Sequence, residues 1–587
     1  MTIPIARRPS SYDRSPFVEV QAGDARAWTG QEAYARLAQS LMESSDNADL
    51  AVDCYPGVVV DEVVRYLTEA APSANVVNVE SAGLTASELS TKLEHILTDD
   101  RVFGYRTVWD ICEFYDPAKL ESLRRSAESV GRPTIWVGWG ASLVAPPGST
   151  VVLADMPRWE IQRRFREGAG NWNANNGDSP QLSKFKRGYF VEWCSADRHK
   201  VGLFTSASWI LDTTSATHKL ITGEVLRAGL LECTKRPFRV VPYFDPGPWG
   251  GTWMQDQFAL PESDVNYAWC FDCVPEENSL LLRVDGELIE IPSLNVVLQH
   301  PDRLLGPEIL DRFGADFPIR FDFLDTMNGG NLSLQVHPTN AYIRNTFGMD
   351  YTQDESYYIL DAGEDSYVYL GVLDGVEKQE MIDALHRAQS DGEIFPAHDY
   401  VGVFPAAKHD HFLIPAGTVH ASGAGNMVLE ISATPYIFTF KLWDWGRVGL
   451  DGLPRPIHLN HGIPNIEWDR TANWARENLI NRVAQISSGE GWIEETTGLH
   501  ELEFIETRRH WFSAPVDRDT GNTVNVLNLI EGDRITVESP SHAFAPFEVH
   551  FAETFIVPAA VGAYRLKPSG EASAYGVIIA SVRGKDC

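Results

Sequence analysis

Apolar runs of strand length alternate with helical patterns through the first 235 residues of the chain. The runs are rich in Val, Ile and Leu, and the segments between them repeat apolar positions every three or four residues. Strands alternating with helices favour a parallel sheet covered by helices, so this part is predicted to be an α/β domain. The predicted strands are 49–53, 74–79, 133–138 and 150–154, and the predicted helices are 61–71, 85–96, 117–130 and 158–166.

The rest of the chain is richer in short strands. Many short strands separated by turn residues are typical of a β-sandwich or barrel. The predicted fold class is therefore α+β and multidomain, with an α/β domain followed by an all-β region. In the last part a helical pattern at 472–486 precedes predicted strands at 502–506, 523–531, 533–538, 553–557 and 575–581.

Three separate strands carry side chains that suit a transition metal. Gln335 and His337 lie two residues apart in a predicted strand, so they point to the same face. Glu355 precedes an apolar run, and His420 follows a Pro-Ala-Gly turn at the start of the strand that carries residues 427–431. Two imidazoles, a carboxylate and an amide oxygen suit Zn²⁺, or Fe²⁺, Mn²⁺ or Co²⁺ as substitutes. The sequence predicts one such ion per chain, with an open coordination position.

Other candidate metal sites have structural interpretations. Cys270 and Cys273 have the spacing of a ligand pair, but no second Cys or His pair lies near them in the sequence. The seven cysteines are scattered and odd in number, which argues against a disulfide framework. The stretch that begins at Glu553 lacks a following histidine, so the last strand-rich region is expected to be metal-free.

Segment 414–426 resembles the second cupin motif, in which Pro and Gly form a tight turn that directs a histidine into a small antiparallel barrel. More narrowly, residues 239–583 resemble the class I mannose-6-phosphate isomerases. The resemblance implies two cupin (jelly-roll) barrels, and it implies that Gln335, His337, Glu355 and His420 are the metal ligands. The segments that carry it, in the order of that family, are 248–252, 317–325, 368–386 and 442–447. Of these, 368–386 resembles the part of the family in which the barrel gives way to a helical insertion.

The chain also departs from that family near the expected substrate. Members commonly have a Lys two residues before the metal-binding Glu, where this chain has Gln353. Lys441 stands in place of an Arg, which keeps the charge but loses the bidentate guanidinium. An acidic residue of the family has no counterpart at 434–437. The resemblance implies Lys441 and Arg447 as catalytic candidates, and Gln353, Lys441 and Arg447 as substrate-binding candidates.

The α/β domain resembles the uridine kinase-like P-loop proteins in two places. Residues 49–57 stand where a first strand and phosphate loop would be, and residues 153–166 resemble a strand and a basic lid helix. The motif Gly-x-x-x-x-Gly-Lys-[Ser/Thr] occurs nowhere in the chain, so the Lys and hydroxyl of a nucleotide phosphate loop are absent. We interpret the domain as degenerate. Its arginines are either an anion-binding patch or a solvated helix face.

These patterns predict four parts: an N-terminal extension at 1–45, the P-loop kinase-like domain at 46–236, the metal-binding cupin barrel at 237–465 and the metal-free cupin barrel at 466–587. The formal net charge of −32 opposes binding to nucleic acid or an anionic membrane. No apolar stretch has the length of a signal peptide core or a spanning helix, which predicts a cytoplasmic protein.

The function that these features predict is a metal-dependent aldose-ketose isomerase. The resemblance implies interconversion of mannose 6-phosphate and fructose 6-phosphate through an enediol. Two alternatives remain open: an isomerase for another sugar, and a non-catalytic barrel that binds a metal and a sugar or sugar phosphate. A kinase and an isomerase joined in one chain is a further hypothesis, which the absent phosphate loop weakens.

Overall fold

A computed structural model describes residues 10–21, 23, 25–43, 49–263, 265–498 and 502–584. The chain divides into two compact units, each assembled from separate stretches of sequence. We call them the α/β unit, residues 16–233 and 275–300, and the β unit, residues 1–15, 234–274 and 301–587. The protein is thus multidomain, as predicted, and the four boundaries drawn from the sequence stay predictions. No helix in the described ranges is long and apolar enough to cross a membrane.

A seven-stranded sheet forms the centre of the α/β unit. Five neighbouring strands are parallel, and two at one edge are antiparallel. The four strands predicted from the sequence are confirmed, and most of their residues are buried, as expected of a sheet covered on both faces. In spatial order the strands are Trp28–Thr29, Lys219–Thr222, Trp209–Asp212, Thr150–Asp155, Leu50–Cys54, Thr134–Gly138 and Asn75–Asn78.

The four predicted helices of this unit are also confirmed, with ends that shift by at most one residue. Asp116 caps one of them by accepting a hydrogen bond from the Ala118 amide at 2.8 Å. The resemblance to P-loop proteins stays a prediction. The α-helices of the unit are Gln31–Glu43, Val60–Ala70, Ala86–Leu97, Pro117–Val130, Ala141–Val144, Arg158–Arg166, Gln181–Arg187, Trp193–Ser206, Gly223–Cys233 and Leu294–Gln299.

Arg164, on the helix proposed as a basic lid, is engaged within the protein. Its Nε donates to Glu160 Oε1 at 2.7 Å. Its two remaining nitrogens donate to the carbonyls of Gly57 and Thr213 at 3.0 and 2.8 Å. Every nitrogen of this guanidinium therefore has an acceptor, which favours a structural role for Arg164.

Residues 275–300 fold with the α/β unit, although they follow the start of the β unit in sequence. Their hairpin, Ser279–Val284 and Glu287–Pro292, pairs in parallel with strand Phe17–Glu19 through its first strand. The sequence patterns do not predict this excursion, because a hairpin has the same alternation of apolar and polar residues wherever it packs.

The first barrel of the β unit consists of two antiparallel sheets. One has six strands, in the order His411–Ile414, Glu355–Ala362, Asn426–Ala433, Ile319–Asp325, Trp269–Cys273 and Tyr243–Asp245. The other has five, in the order Val401–Pro405, Tyr367–Val372, His420–Ser422, Leu334–Val336 and Phe440–Trp443.

The second barrel has a six-stranded and a four-stranded sheet, and the side chains between them form a single hydrophobic core. The helix predicted at 472–486 is shorter than expected. It ends at Asn478, and Asn481 then adopts a left-handed φ of 50°. The strands are Ala484–Gly489, Trp492–Thr496, Ile505–Phe512, Tyr575–Val582, Asn525–Glu531 and Thr554–Val557, then Val516–Asp519, Ala563–Pro568, Arg534–Glu538 and Phe547–His550.

Helices of the β unit lie mainly in the connections around the first barrel. The longest of them, Lys378–Ser390, is the predicted helical insertion. The others are Trp253–Gln257, Pro301–Leu305, Pro307–Phe313, Asn340–Phe347, Ala397–Tyr400, Leu459–Gly462 and Ala472–Asn478.

A buried ionic network joins distant segments of the β unit. Arg239 Nη1 lies 2.8 Å from Glu553 Oε1, and Arg239 Nη2 lies 3.6 Å from Asp272 Oδ1. The hydroxyl of Tyr12 donates to Asp272 Oδ1 at 2.5 Å. All four side chains are buried. Glu553, in the stretch that resembles a cupin motif without its histidine, thus has an arginine as its partner.

Replacing Arg239 with Met should lower the free energy of unfolding by about 3–5 kcal/mol, because Asp272 and Glu553 would stay buried without their cation. Urea unfolding measures the change. Arg534→Met is a matched control, since Arg534 pairs with Glu548 at the surface and its loss should change stability by less than about 1 kcal/mol. An equal loss of unfolding free energy in the two variants would contradict the conclusion that the buried ionic network stabilises the β unit.

The buried residue His411 should make the protein sensitive to acid. Burial lowers its pKa to about 3, whereas a free imidazole has a pKa of about 6.5. The unfolded chain therefore binds the extra proton first, and stability is lost as the pH falls from about 6.5 towards the folded value. His411→Leu should flatten this dependence by up to ~1.4 kcal/mol per pH unit. His386→Leu, at an exposed position, should not, and an unchanged slope in both variants would show that His411 does not contribute.

Candidate metal centre

The four predicted ligands come from both sheets of the first barrel. Gln335 lies directly opposite His420 in neighbouring strands of the five-stranded sheet. His337 comes two residues after Gln335, and Glu355 begins a strand of the six-stranded sheet. The structure therefore brings all four residues together from three strands, as the sequence patterns predict.

The prediction that His420 lies on the strand carrying residues 427–431 is wrong. His420–Ser422 belongs to the five-stranded sheet, whereas Asn426–Ala433 belongs to the six-stranded sheet. Between them Gly425 adopts a left-handed φ of 88°, which lets the chain turn from one sheet to the other. The histidine and the following strand therefore face each other across the barrel.

Three of the side chains converge on one point inside the barrel. Glu355 Oε2 lies 3.0 Å from His337 Nε2, and Glu355 Oε1 lies 2.8 Å from His420 Nε2. The Gln335 amide lies 3.2 Å from His420 Nε2. The two histidines and Glu355 are completely or almost completely buried, so this cluster of ligand atoms is shielded from bulk water.

The backbone fixes which nitrogen of each ring faces the cluster. His337 Nδ1 donates to the Phe438 carbonyl at 3.1 Å, and His420 Nδ1 donates to the Thr418 carbonyl at 2.8 Å. In neutral rings both Nε2 atoms then carry lone pairs, and these lone pairs point at the Glu355 carboxylate. Acceptors that face one another in this way need a cation between them.

The separations also fit a transition metal. Two ligands about 2.1 Å from one ion and roughly 90–110° apart lie about 3.0–3.4 Å from each other, close to the 2.8–3.2 Å found here. The oxygen and nitrogen of a side-chain amide are assigned from their hydrogen bonds. The Gln335 amide can therefore be turned so that its oxygen faces an ion. These residues therefore fit a divalent ion of the zinc type.

A residue that the sequence patterns missed holds the turn before His420. Gly417 adopts a φ of 94°, a conformation that favours glycine. Arg470 Nη1 donates to the carbonyls of Pro415 and Ala416 at 2.9 and 2.6 Å and to Thr418 Oγ1 at 2.9 Å. The guanidinium thereby ties the turn together and positions the imidazole that follows it. No motif in the sequence marks a distant arginine for this role.

Two of the predicted substrate-binding residues lie beside the cluster. Gln353 is buried and donates to Glu355 Oε2 at 3.2 Å, so it contacts a ligand side chain. Lys441 is half-buried and lies opposite Gln335 in the neighbouring strand, which places both side chains on one face of the sheet. Lys441 is therefore the cation that the strand register places next to the ligands.

Arg447 lies in a different environment. A bulge in the last strand pairs Trp443 with Leu334, which turns Trp443 away from the face that bears Lys441. Arg447 is paired with Asp444 in a cavity of about 340 Å³ that Trp443 also lines. Arg455 Nε lies 2.8 Å from the other oxygen of the same carboxylate. Two guanidiniums thus share one acidic partner in this cavity.

Polar side chains continue from Glu355 across the face of the six-stranded sheet, and the sequence patterns missed them too. Strand Ile319–Asp325 alternates polar and apolar residues, a pattern that predicts a strand with one exposed face. All seven of its residues are nevertheless buried. Burial raises the pKa of Asp322 to about 6, and burial with the charge of Asp322 raises the pKa of Glu430 well above its ordinary value. We call this set the inner polar row: Arg320, Asp322, Tyr357, Glu430 and Ser432.

Comparison with known proteins identifies relatives of part of the chain. The mannose-6-phosphate isomerase ManA of Bacillus subtilis (strain 168) is 29% identical over 235 residues, which are 40% of this chain and 69% of the relative. The mannose-6-phosphate isomerase of Streptococcus mutans is 26% identical over 233 residues, which are 38% of this chain and 66% of the relative. About two fifths of this chain is homologous to mannose-6-phosphate isomerases.

Two further similarities are found. A crystal structure of the mannose 6-phosphate isomerase from Bacillus subtilis aligns with a TM-score of 0.48 and 17% identity, over 59% of this chain and 99% of that chain. A family model described as a domain of unknown function (DUF8485) matches residues 33–235, most of the α/β unit.

Removing either imidazole should empty the metal site. We expect His337→Ala or His420→Ala to lose the bound divalent ion while the barrel stays folded, because the ligands surround a site and do not fill the apolar core. Elemental analysis of purified protein measures the ion, and circular dichroism checks the fold. The control His386→Ala, on an exposed helix face, should keep its metal. Full occupancy in both ligand variants would refute the assignment.

Proposed function

We propose that the β unit is a divalent-metal-dependent aldose-ketose isomerase that interconverts mannose 6-phosphate and fructose 6-phosphate. The convergence of His337, Glu355 and His420 at 2.8–3.0 Å carries the proposal, because three buried acceptors need a cation. Gln335 completes the proposed ligand set. The homology to mannose-6-phosphate isomerases supports the substrate class.

Each residue has a distinct part in the proposed reaction. An ion held by Gln335, His337, Glu355 and His420 would supply a Lewis acid that polarises sugar oxygens at C1 and C2. Isomerisation moves a proton between these carbons, and negative charge develops on the two oxygens of the enediol. The ammonium of Lys441, in register with Gln335, is suited to stabilise that charge. Gln353 holds Glu355 in place by its hydrogen bond at 3.2 Å.

The phosphate of the substrate needs its own cations, since the chain as a whole carries a charge of −32. Arg447 and Arg455 supply an excess of one positive charge in the cavity of about 340 Å³, because both share the single carboxylate of Asp444. Guanidinium groups bind phosphate through paired N–H donors. We propose that Arg447 binds an anionic group such as phosphate, with Arg455 as its neighbour, in a cavity on the face of the strand opposite to Lys441.

A non-catalytic metal and sugar-binding barrel is the second candidate. The observation that favours it is Gln353, an uncharged residue that is buried against Glu355 at a position where the resembled family commonly has a lysine. The same observation would also suit an isomerase for an unphosphorylated sugar. A non-catalytic barrel and an isomerase differ in whether protons exchange at the carbons of the bound sugar.

A substrate panel separates these functions. Metal-loaded full-length protein is incubated in D₂O with aldoses and ketoses, each with and without a 6-phosphate, and the products are followed by nuclear magnetic resonance. Conversion of mannose 6-phosphate to fructose 6-phosphate with deuterium at C1 or C2 is the expected result. Conversion of another sugar alone would change the substrate, and saturable binding measured by calorimetry without conversion or exchange would establish the binding barrel instead.

Lys441→Met should lower kcat by roughly 10²–10³, the typical loss of one electrostatic donor at a developing oxyanion, and should leave metal content unchanged. Steady-state kinetics on the sugar that the panel identifies provide the measurement. Lys567→Met, which removes an exposed pair with Glu538, is the matched control and should keep wild-type turnover. Wild-type kcat in Lys441→Met would show that another group stabilises the charge.

A further inference from the structure

The inner polar row lies in register with the metal centre. Arg320 pairs with Ser432 on the next strand, and Ser432 pairs in turn with Glu355. Paired residues share one face of a sheet, so the guanidinium and the metal-ligand carboxylate lie on the same side. Two strand spacings put their backbones about 10 Å apart, a span that an arginine side chain and a small ligand can bridge together.

The Arg320 guanidinium has donors that the protein does not use. Its Nη2 donates to Asp322 Oδ1 at 3.0 Å. Its Nε and Nη1 are buried and have no hydrogen-bond acceptor among the residues that the structure describes. Nη1 lies 3.8 Å from Glu430 Oε1, which is too long for a hydrogen bond, and within the described ranges that carboxyl oxygen has no donor either. A donor and an acceptor thus face each other with a gap between them.

Arg164 and Arg239, which have structural roles, leave fewer donors unused: Arg164 none and Arg239 only Nη2. Every nitrogen of Arg164 has an acceptor, as described above. Unused donors on a buried guanidinium are costly, because their desolvation is not offset by a hydrogen bond. The ring of Tyr436 lies 4.8 Å from the Arg320 guanidinium, which fixes its plane. The orientation of Arg320 therefore leaves two donors in place for a ligand.

We propose that Arg320 and Glu430 bind a hydroxyl group of the open-chain sugar, with Arg320 Nη1 donating to the hydroxyl oxygen and Glu430 Oε1 accepting its proton. A hydroxyl group is both donor and acceptor, so its oxygen can bridge the pair from one side, at about 2.8 Å from a donor and an acceptor that lie 3.8 Å apart. The inference rests on the proposed function, because it assumes that a polyhydroxy chain reaches from the metal centre along the inner polar row. It makes Arg320 a residue that determines specificity for the hydroxyl pattern.

Calorimetry with an acyclic analogue tests this contact without turnover. Mannitol 6-phosphate has the chain of hydroxyl groups but no carbonyl, so it binds without reacting. Metal-loaded Arg320→Met should bind it at least 10-fold more weakly than the wild type, with the same metal content. In a series of mannitol 6-phosphates that each lack one hydroxyl, one analogue should bind the wild type more weakly than mannitol 6-phosphate does. Arg320→Met should bind that analogue no more weakly than the wild type binds it.

Further variants separate binding from folding. Arg320→Met with Asp322→Asn removes both members of the pair, so no uncompensated charge of Asp322 remains, and it should fold and show the same loss of affinity. Arg320→Lys keeps the charge and should recover only part of the affinity. The exposed control Arg534→Met should bind as the wild type does.

The outcomes distinguish this proposal from the isomerase assignment. Wild-type affinity in a folded Arg320→Met protein, or a loss of metal in that variant, would overturn the contact even if the wild type isomerises sugars. Binding that depends on Arg320 in a protein that converts no sugar would support the contact and overturn the isomerase. A metal-loaded wild type that binds none of the hexitol phosphates would overturn the proposed hydroxyl site.

Discussion

Acceptor atoms that face one another inside the first barrel are the constraint on which the candidate site depends. The Nε2 atoms of His337 and His420 and both oxygens of Glu355 meet at 2.8–3.0 Å, and backbone carbonyls hold the opposite ring nitrogens. Such a cluster is unfavourable by itself and becomes favourable around a cation. The turn before His420, its clamp by Arg470 and the hydrogen bond from Gln353 all serve to keep these atoms in place.

Local patterns predict the parts of the structure in which sequence neighbours decide the geometry. The alternating strands and helices of the α/β unit are such a case. Gln335 and His337 are another, because a period of two puts them on one face whatever the strand pairs with. Gly425 was the missed signal, because its left-handed φ lets the chain turn and so divides one predicted strand into two strands in different sheets.

The inner polar row could not be predicted in the same way. The alternation of Arg320 and Asp322 with phenylalanines is the usual pattern of a strand with one wet face, and only tertiary structure shows that both faces are buried. Its members come from three strands, so no spacing in the sequence connects them. The contacts of Arg470 and Arg455 could not be predicted for the same reason. Arg470 binds a turn more than fifty residues away in the sequence, and Arg455 binds Asp444 across a loop. The sequence alone therefore does not tell whether a polar residue in a predicted barrel strand faces solvent or the interior of the barrel.

The interleaving of the two units has a consequence for the order in which the protein can be made. A ribosome completes residues 16–233 well before it reaches the hairpin Ser279–Val284 and Glu287–Pro292, which belongs to the same unit. Strand Phe17–Glu19 cannot pair with its parallel partner until some 260 intervening residues have been synthesised, counted from Phe17 to its partner Leu281. The α/β unit is therefore not a module that finishes folding before its neighbour begins. A gene fusion or truncation near residue 233 would separate strands that pair, so genetic dissection of this chain has to keep both stretches of the unit.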